Sequence, residues 1–300
     1  MVVIDKKIQS DREALTFVRE CEEDFDFRLS QLVHRAVEDN TTRCITLSGP
    51  TCAGKTTAAH KLVDEIVHSG RTAKIISIDD FFHSSGELDV MDRVVDYDSV
   101  AAIDLDCFAV CVNDLMSGKC AKLPYFDFQE RRRTKFHEYV LGRSDVVIFE
   151  GIQAVYPEVT ALLKPYGYKG IFVNVTENVT VNGVHFSRDE VRLARRIVRD
   201  YCFRAASPEF TLHLWKNVRD NEEKNIFPNV DADACLLDSF QAYELFMIGQ
   251  FVLPLLDTVK PASPYHSMAR DLYDRFYAIR GNEISPDFLS EDSLYREFLG

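Results

Sequence analysis

A chain of 300 residues in which 46% of side chains are hydrophobic can bury a full core, as one large α/β domain or as two smaller ones. Its net charge of −13 argues against broad binding to nucleic acid or to an anionic membrane, so any anion site has to be local. Eight cysteines form no C-x-x-C pair and are too thinly spread for a disulfide or zinc framework, which makes them reduced thiols.

The opening, MVVIDKKIQSDREALTF, turns charged too early for a secretory leader, and the longest apolar stretch, 246–256, is interrupted by Gln250 and Pro254. A soluble cytoplasmic protein without a membrane span is expected. Residues 1–40 read as a helical N-terminal extension, with Leu15, Val18, Leu29, Leu32 and Val33 as apolar points among acidic residues. Short apolar runs follow at 44–47, 74–78, 145–149, 171–175 and 234–237, separated by helix-length segments. That alternation predicts an α/β fold with a parallel sheet covered by helices on both faces, occupying about residues 41–260. Residues 101–117 have helical spacing and stop near Gly118, and Ser187-Arg188-Asp189-Glu190 has the form of a capping box that starts an arginine-rich helix. Pro261 to Pro264 mark a boundary, beyond which 261–300 reads as a helical segment packed on the main domain.

Between the first apolar run and the next helix lies Gly49-Pro50-Thr51-Cys52-Ala53-Gly54-Lys55-Thr56, which fits a phosphate-binding P-loop. Glycines let the backbone curl so that successive N–H groups face the phosphates, and the following helix adds its positive end. Gly49, Thr51, Cys52, Ala53, Gly54, Lys55, Thr56 and Thr57 are the expected contacts to a nucleoside triphosphate. Lys55 would reach the β- and γ-phosphates, and the Thr56 hydroxyl would ligate Mg²⁺.

In a parallel sheet the ligand sits beyond the carboxyl ends of the strands, where charged residues carry weight. Asp79 and Asp80 follow the run KIISI, and Glu150 follows DVVIF. Asp79 suits a base that accepts a hydroxyl proton, and Glu150 suits a metal-side carboxylate. Arg192, Arg195, Arg196 and Arg199 share one helical face, which could close over a transferring phosphoryl group as a lid. Neither an N-K-x-D motif nor an L-S-G-G-Q motif is present. A small-substrate kinase is the simplest remaining class.

Taken in order, SGPTCAGKTT (48–57), SIDDFF (77–82), DYDSVAAIDLDCF (96–108), LPYFDF (123–128), DVVIFEGIQAVY (145–156) and RLARRIVRD (192–200) resemble the uridine kinase and phosphoribulokinase family. The later segments 200–215 and 221–228 and the ending from 283 are similar to bacterial uridine kinase-like proteins. Those often carry a domain shared with threonyl-tRNA synthetases, which has no counterpart in these 300 residues.

The resemblance implies a P-loop kinase fold with a helical arginine lid, using ATP and Mg²⁺ to phosphorylate a small-molecule hydroxyl. It further implies that Asp79 activates the acceptor, Asp98 holds ribose hydroxyls, Arg192 and Arg195 lie near the phosphates, and Glu150 stands beside magnesium. Phe126 and Arg131 stand where the family has a tyrosine and a histidine that read the pyrimidine edge; with Asp127 they are the expected acceptor-pocket residues. A nucleoside is the leading acceptor. A charged Arg131 suits instead a sugar phosphate or acidic metabolite, and a third reading is a nucleotide-binding regulatory protein with little catalysis. No nucleic-acid or membrane partner is expected, and a homo-oligomer remains compatible with the sequence.

Overall fold

Which way each strand residue points decides the architecture. In the computed structural model, which describes residues 1–38, 41–85 and 97–300, the elements in chain order are β1 (Val2–Ile4), α1 (Asp11–Val37), β2 (Cys44–Ser48), α2 (Lys55–His68), β3 (Ala73–Ser77), α3 (Leu105–Met116), β4 (Cys120–Asp127), β5 (Arg132–Val140), β6 (Val146–Glu150), α4 (Pro157–Leu163), β7 (Lys169–Asn174), β8 (Val179–Val181), β9 (Val184–Phe186), α5 (Arg188–Arg204), α6 (Pro208–Asn221), β10 (Cys235–Asp238), α7 (Glu244–Asp257), α8 (His266–Ala278) and α9 (Arg296–Leu299). Asp96, the first residue of the 96–108 motif, lies outside the described residues, as do residues 39 and 40.

Five strands form a wholly parallel sheet in the order β10-β7-β2-β6-β3. Ile45, Leu47, Val146, Ile148, Ile171 and Val173 enter one buried cluster, while Cys44, Val147, Phe149 and Phe172 enter another on the opposite face. A sheet buried on both faces needs apolar residues at every position, which is why these strands read as continuous runs. Helices α1, α2, α5, α7 and α8 contribute to the first cluster, and α3, α4 and the β4–β5 hairpin to the second.

Register then sets the site. Leu47 of β2 lies beside Glu150 of β6, and Glu150 lies beside Ser77 of β3. The three strands therefore end level, and the P-loop, Asp79 and Glu150 emerge together at one sheet edge.

Residues 1–38, read from sequence as an extension, are built into the protein. Strand β1 pairs in parallel with β8, and α1 buries Val18, Phe25, Leu29 and Val33 in the main cluster. Strand β1 itself was not legible, because three apolar residues followed by charges carry no period. The β4–β5 hairpin was likewise not anticipated as strands: Pro124 interrupts β4, and β5 is mostly exposed with no alternating apolar face. The capping box is present in both halves, since Ser187 Oγ accepts from the Glu190 amide and Glu190 accepts from the Ser187 amide. Among the described residues no helix is long and apolar enough to cross a membrane.

If α1 is part of the core, Phe25→Ala should destabilise the whole protein by about 3 kcal/mol. Urea unfolding followed by tryptophan fluorescence at Trp215 checks this. A loss below about 0.5 kcal/mol, as expected for a surface substitution, would mean that α1 is a loosely attached appendage.

Candidate active site

The loop from β2 to α2 is shaped by close approach. A Cβ at residue 49 would stand 2.0 Å from the carbonyl oxygen of Val173, so only glycine lets the chain pass β7. Gly54, at φ +87°, caps α2 in the left-handed conformation, and Cys52 adopts φ +55° despite its side chain. A non-glycine residue there costs about 1–2 kcal/mol, and the loop carbonyls supply the compensating contacts.

Those contacts come from α5. Arg192 donates from Nη1 to the Thr51 carbonyl (3.2 Å), and Arg195 donates from Nη1 to the Cys52 carbonyl (3.1 Å). Both guanidinium groups are fully buried, each gripped by a buried carboxylate. Arg192 binds Glu222 through Nη1 (2.7 Å) and Nη2 (2.8 Å), and also meets Asp189 (2.8 Å). Arg195 binds Glu244 (2.8 Å from Nη2), Ser239 and the Tyr295 hydroxyl (2.9 Å). Burial lowers the pKa of both arginines, but the paired acids more than reverse it, so both stay charged.

This corrects the expectation that Arg192 and Arg195 face the phosphates from a lid. Helix α5 buries Val191, Leu193, Ala194, Ile197 and Val198 in the main core, and the two arginines brace the loop from behind. The cations that line the cleft are Arg196, Arg199 and Arg204. Helical phase does not carry that signal: at about 100° per residue Arg199 falls between Arg195 and Arg192 on α5, so the packing around the helix, and not the spacing, decides which arginines are buried.

The cleft has a volume of about 340 Å³, and Lys55, Thr56, Asp79, Asp98, Glu150 and the three arginines all line it. Burial is the largest influence on Asp79, pushing it up to about 6; Lys55 and Arg204 oppose the shift, and Asp80 and Asp98 add to it. Glu150 is pushed up to about 7 by burial, opposed by Lys55 and reinforced by Asp79, Glu297 and Asp80. The edge thus holds more carboxylate than it can neutralise. Oxygen donors at Thr56, Glu150 and Asp79 are hard ligands that suit Mg²⁺, and a divalent ion would relieve this excess of negative charge. Among the described residues no group of three or more His, Cys, Asp or Glu could hold a metal alone.

The remaining expected residues divide. Asp98 lines the cleft, and its backbone carbonyl accepts from the Tyr156 hydroxyl (2.7 Å). Phe126 does not line it: the ring is buried behind the wall, 5.6 Å from Phe82 and 5.2 Å from Phe128 between centroids. Asp127 instead closes the β4–β5 turn by accepting from the amides of Gln129 and Glu130. Arg131 is exposed on that turn at φ +52° and is not among the lining residues. The wall is made by Phe82, Tyr97 and Phe128, none of which the sequence singled out. Asp80 anchors the hairpin by accepting from the Phe126 amide at 3.0 Å. Gln153 and Tyr97 add buried polar atoms, Oε1 and the hydroxyl, with no hydrogen-bond partner among the described residues.

Residues 44–241 match the family described as Phosphoribulokinase / Uridine kinase family. The chain belongs to that family. It is similar to the uridine kinase of Saccharomyces cerevisiae, 29% identical over 201 residues covering 65% of this chain and 37% of the yeast protein. It is also similar to the uridine kinase of Halobacterium salinarum, 27% identical over 186 residues covering 61% of this chain and 74% of that protein. The chain therefore spans little more than a third of the yeast relative's length. Among solved structures, a D-glycerate 3-kinase from Cryptococcus neoformans superposes at TM-score 0.35 with 17% identity, over 93% of this chain and 88% of that one. The family match and the parallel sheet with its P-loop together give the chain the P-loop fold of that family.

The raised carboxylates carry a stability cost with a defined sign. A folded-state pKa above the unfolded value means that the charged form is disfavoured by folding, so the cost is absent below about pH 4 and complete above about pH 7. In the protein without nucleotide or metal, Asp79→Asn should add on the order of 2 kcal/mol at pH 8 and nothing near pH 4. Thermal melts across that range check it; equal effects at both pH values would contradict the electrostatic account.

Proposed function

We propose that this chain is a kinase that uses MgATP to phosphorylate a hydroxyl of a small neutral molecule, with a nucleoside as the best fit. The observation that carries the reading is the convergence of the P-loop, Asp79, Glu150 and three cleft-facing arginines at one sheet edge. Lys55 and the loop amides would hold the triphosphate. Thr56 and Glu150 would hold Mg²⁺, which when bound neutralises charge on the β- and γ-oxygens. Asp79 takes the acceptor's hydroxyl proton as that oxygen bonds to the γ-phosphorus and the bond to the β-phosphate oxygen breaks, releasing ADP. Arg196, Arg199 and Arg204 stabilise the charge on the phosphoryl group in flight.

The acceptor end favours a ribose-like molecule with a flat face. Phe82, Tyr97 and Phe128 offer aromatic surface, Asp98 suits a pair of hydroxyls, and Gln153 and Tyr97 offer polar atoms that lack a partner among the described residues. Buried polar atoms of that kind discriminate strongly, because a ligand that leaves them unpaired is penalised. The alternative of a sugar phosphate or acidic metabolite rested on Arg131, which is exposed on the hairpin turn and is not among the described residues that line the cleft. The two relatives named uridine kinase are consistent with the nucleoside reading.

Asp79→Asn should retain MgATP binding and lose about 10²- to 10⁴-fold in acceptor-dependent ADP release, measured in a coupled assay across a nucleoside panel. Turnover unchanged by the substitution would contradict the role given to Asp79. Absence of acceptor-dependent turnover in either form would favour a nucleotide-binding regulatory protein. Gln153→Ala should raise KM for the nucleoside roughly tenfold with KM for ATP unaltered, and an equal rise in both would remove Gln153 from the acceptor pocket.

A further inference from the structure

Beyond the segment that matches the family, residues 289–300 fold back onto the nucleotide loop. Leu294 packs so closely on Gly54 that a Cβ there would meet its side chain at 2.7 Å. The Tyr295 hydroxyl accepts from Arg195 at 2.9 Å, and the Phe298 ring lies 5.1 Å beneath the same guanidinium. Asp292 and Asp26 both pair with Lys61 of α2. The segment is thus tied to the helix and to the arginine that shape the P-loop.

Glu297 is the member that enters the cleft. Its carboxylate accepts from the Thr57 amide (3.3 Å) and the Thr57 hydroxyl (3.4 Å), and it lines the cleft with Lys55, Thr56, Arg196 and Arg199. Thr57 is the third residue of α2, whose N-cap, Gly54, offers no side-chain cap, so this amide has no partner within the helix. First-turn amides of the helix after a P-loop are the donors that face a nucleotide's phosphates. The Glu297 charge is also felt across the cleft, since it is among the influences that raise Arg199 and Glu150. A full negative charge from elsewhere in the chain therefore occupies an anion position in the donor site.

We infer that Glu297 acts as an internal anion that competes with the nucleotide's phosphates for the first turn of α2, so that binding of the donor requires the Glu297 segment to move aside. The inference rests on the nucleotide reading of the P-loop. Two anions cannot share one amide without strong repulsion, and that repulsion is short-ranged in salt. A purely structural role, as a cap donated across the fold, predicts no competition. Glutamine separates the two, because its side-chain oxygen can still accept from Thr57 while the charge is gone.

The test is calorimetric titration of wild type, Glu297→Gln, Asp292→Asn and Lys55→Ala with MgATP and with magnesium tripolyphosphate. Glu297→Gln should bind both probes roughly tenfold more tightly than wild type, with thermal melts confirming that it is folded. Asp292→Asn, whose side chain is largely exposed, loosens the segment outside the cleft and should tighten both in the same direction by less. Lys55→Ala should lose both. If wild type binds, Lys55→Ala does not, and Glu297→Gln binds both probes no more tightly than wild type, the competition is overturned and the nucleotide site stands. If Glu297→Gln weakens ATP but not tripolyphosphate, Glu297 contacts the nucleoside part of the donor, which also overturns it. If neither wild type nor Glu297→Gln binds either probe, the nucleotide reading fails and the inference falls with it.

Discussion

Two buried guanidinium groups hold the P-loop in place, and the rest of the site depends on them. Arg192 and Arg195 each donate to a loop carbonyl on one side and to a buried glutamate on the other. A charge without solvent is tolerable only when its partner and its remaining hydrogen bonds are supplied, so these arginines and Glu222 and Glu244 stand or fall together. Because Glu222 follows α6 and Glu244 begins α7, the loop is keyed to helices far from it in sequence. Cys52 can then keep a left-handed backbone that an unsupported loop would relax.

With the loop fixed, electrostatics organise the cleft. Level strand ends bring Glu150 and Asp79 together where burial and mutual repulsion raise both, with Lys55 as the cation that opposes both shifts. Such frustration is costly for folding and useful for binding, since a polyanion with its divalent ion brings the missing positive charge to the carboxylates and finds three arginines for its own oxygens. The aromatic wall beside it carries no such excess. The ends proposed for donor and acceptor thus differ in chemistry as well as in position.

Much of this was legible in the sequence, for reasons that differ by element. The five strands of the main sheet, α2, and the capping box of α5 appear directly, because a strand buried on both faces and a helix with a capped end leave local signatures. The P-loop, Asp79 and Glu150 were legible because their spacing after strands fixes where they emerge. The assignment of Arg192 and Arg195 to the phosphates failed because i, i+3, i+4, i+7 spacing shows that arginines share a face, and not which way that face turns. Arg131 misled for a related reason: motif alignment places a residue along the chain, while a left-handed turn residue can point away from the pocket. Phe82 and Phe128 sit inside motifs quoted from the sequence and Glu297 inside its ending, but their roles were not legible, since a wall built from three separate segments and a contact over 240 positions leave no local pattern.

The central claim is that α5 divides its arginines between bracing the loop and facing the ligand. Stability and ATP turnover of Arg192→Gln and Arg199→Gln, measured side by side, test it most directly. Arg192→Gln removes the bidentate partner of the buried Glu222, leaving it Arg219 alone, and should cost about 3 kcal/mol of unfolding free energy. Arg199→Gln leaves the buried Asp200 still paired with Arg196 and Arg204 and should cost only about 1 kcal/mol while lowering turnover at least about tenfold. The opposite pattern, a stable Arg192 variant without turnover and an unstable Arg199 variant that still turns over, would contradict the account.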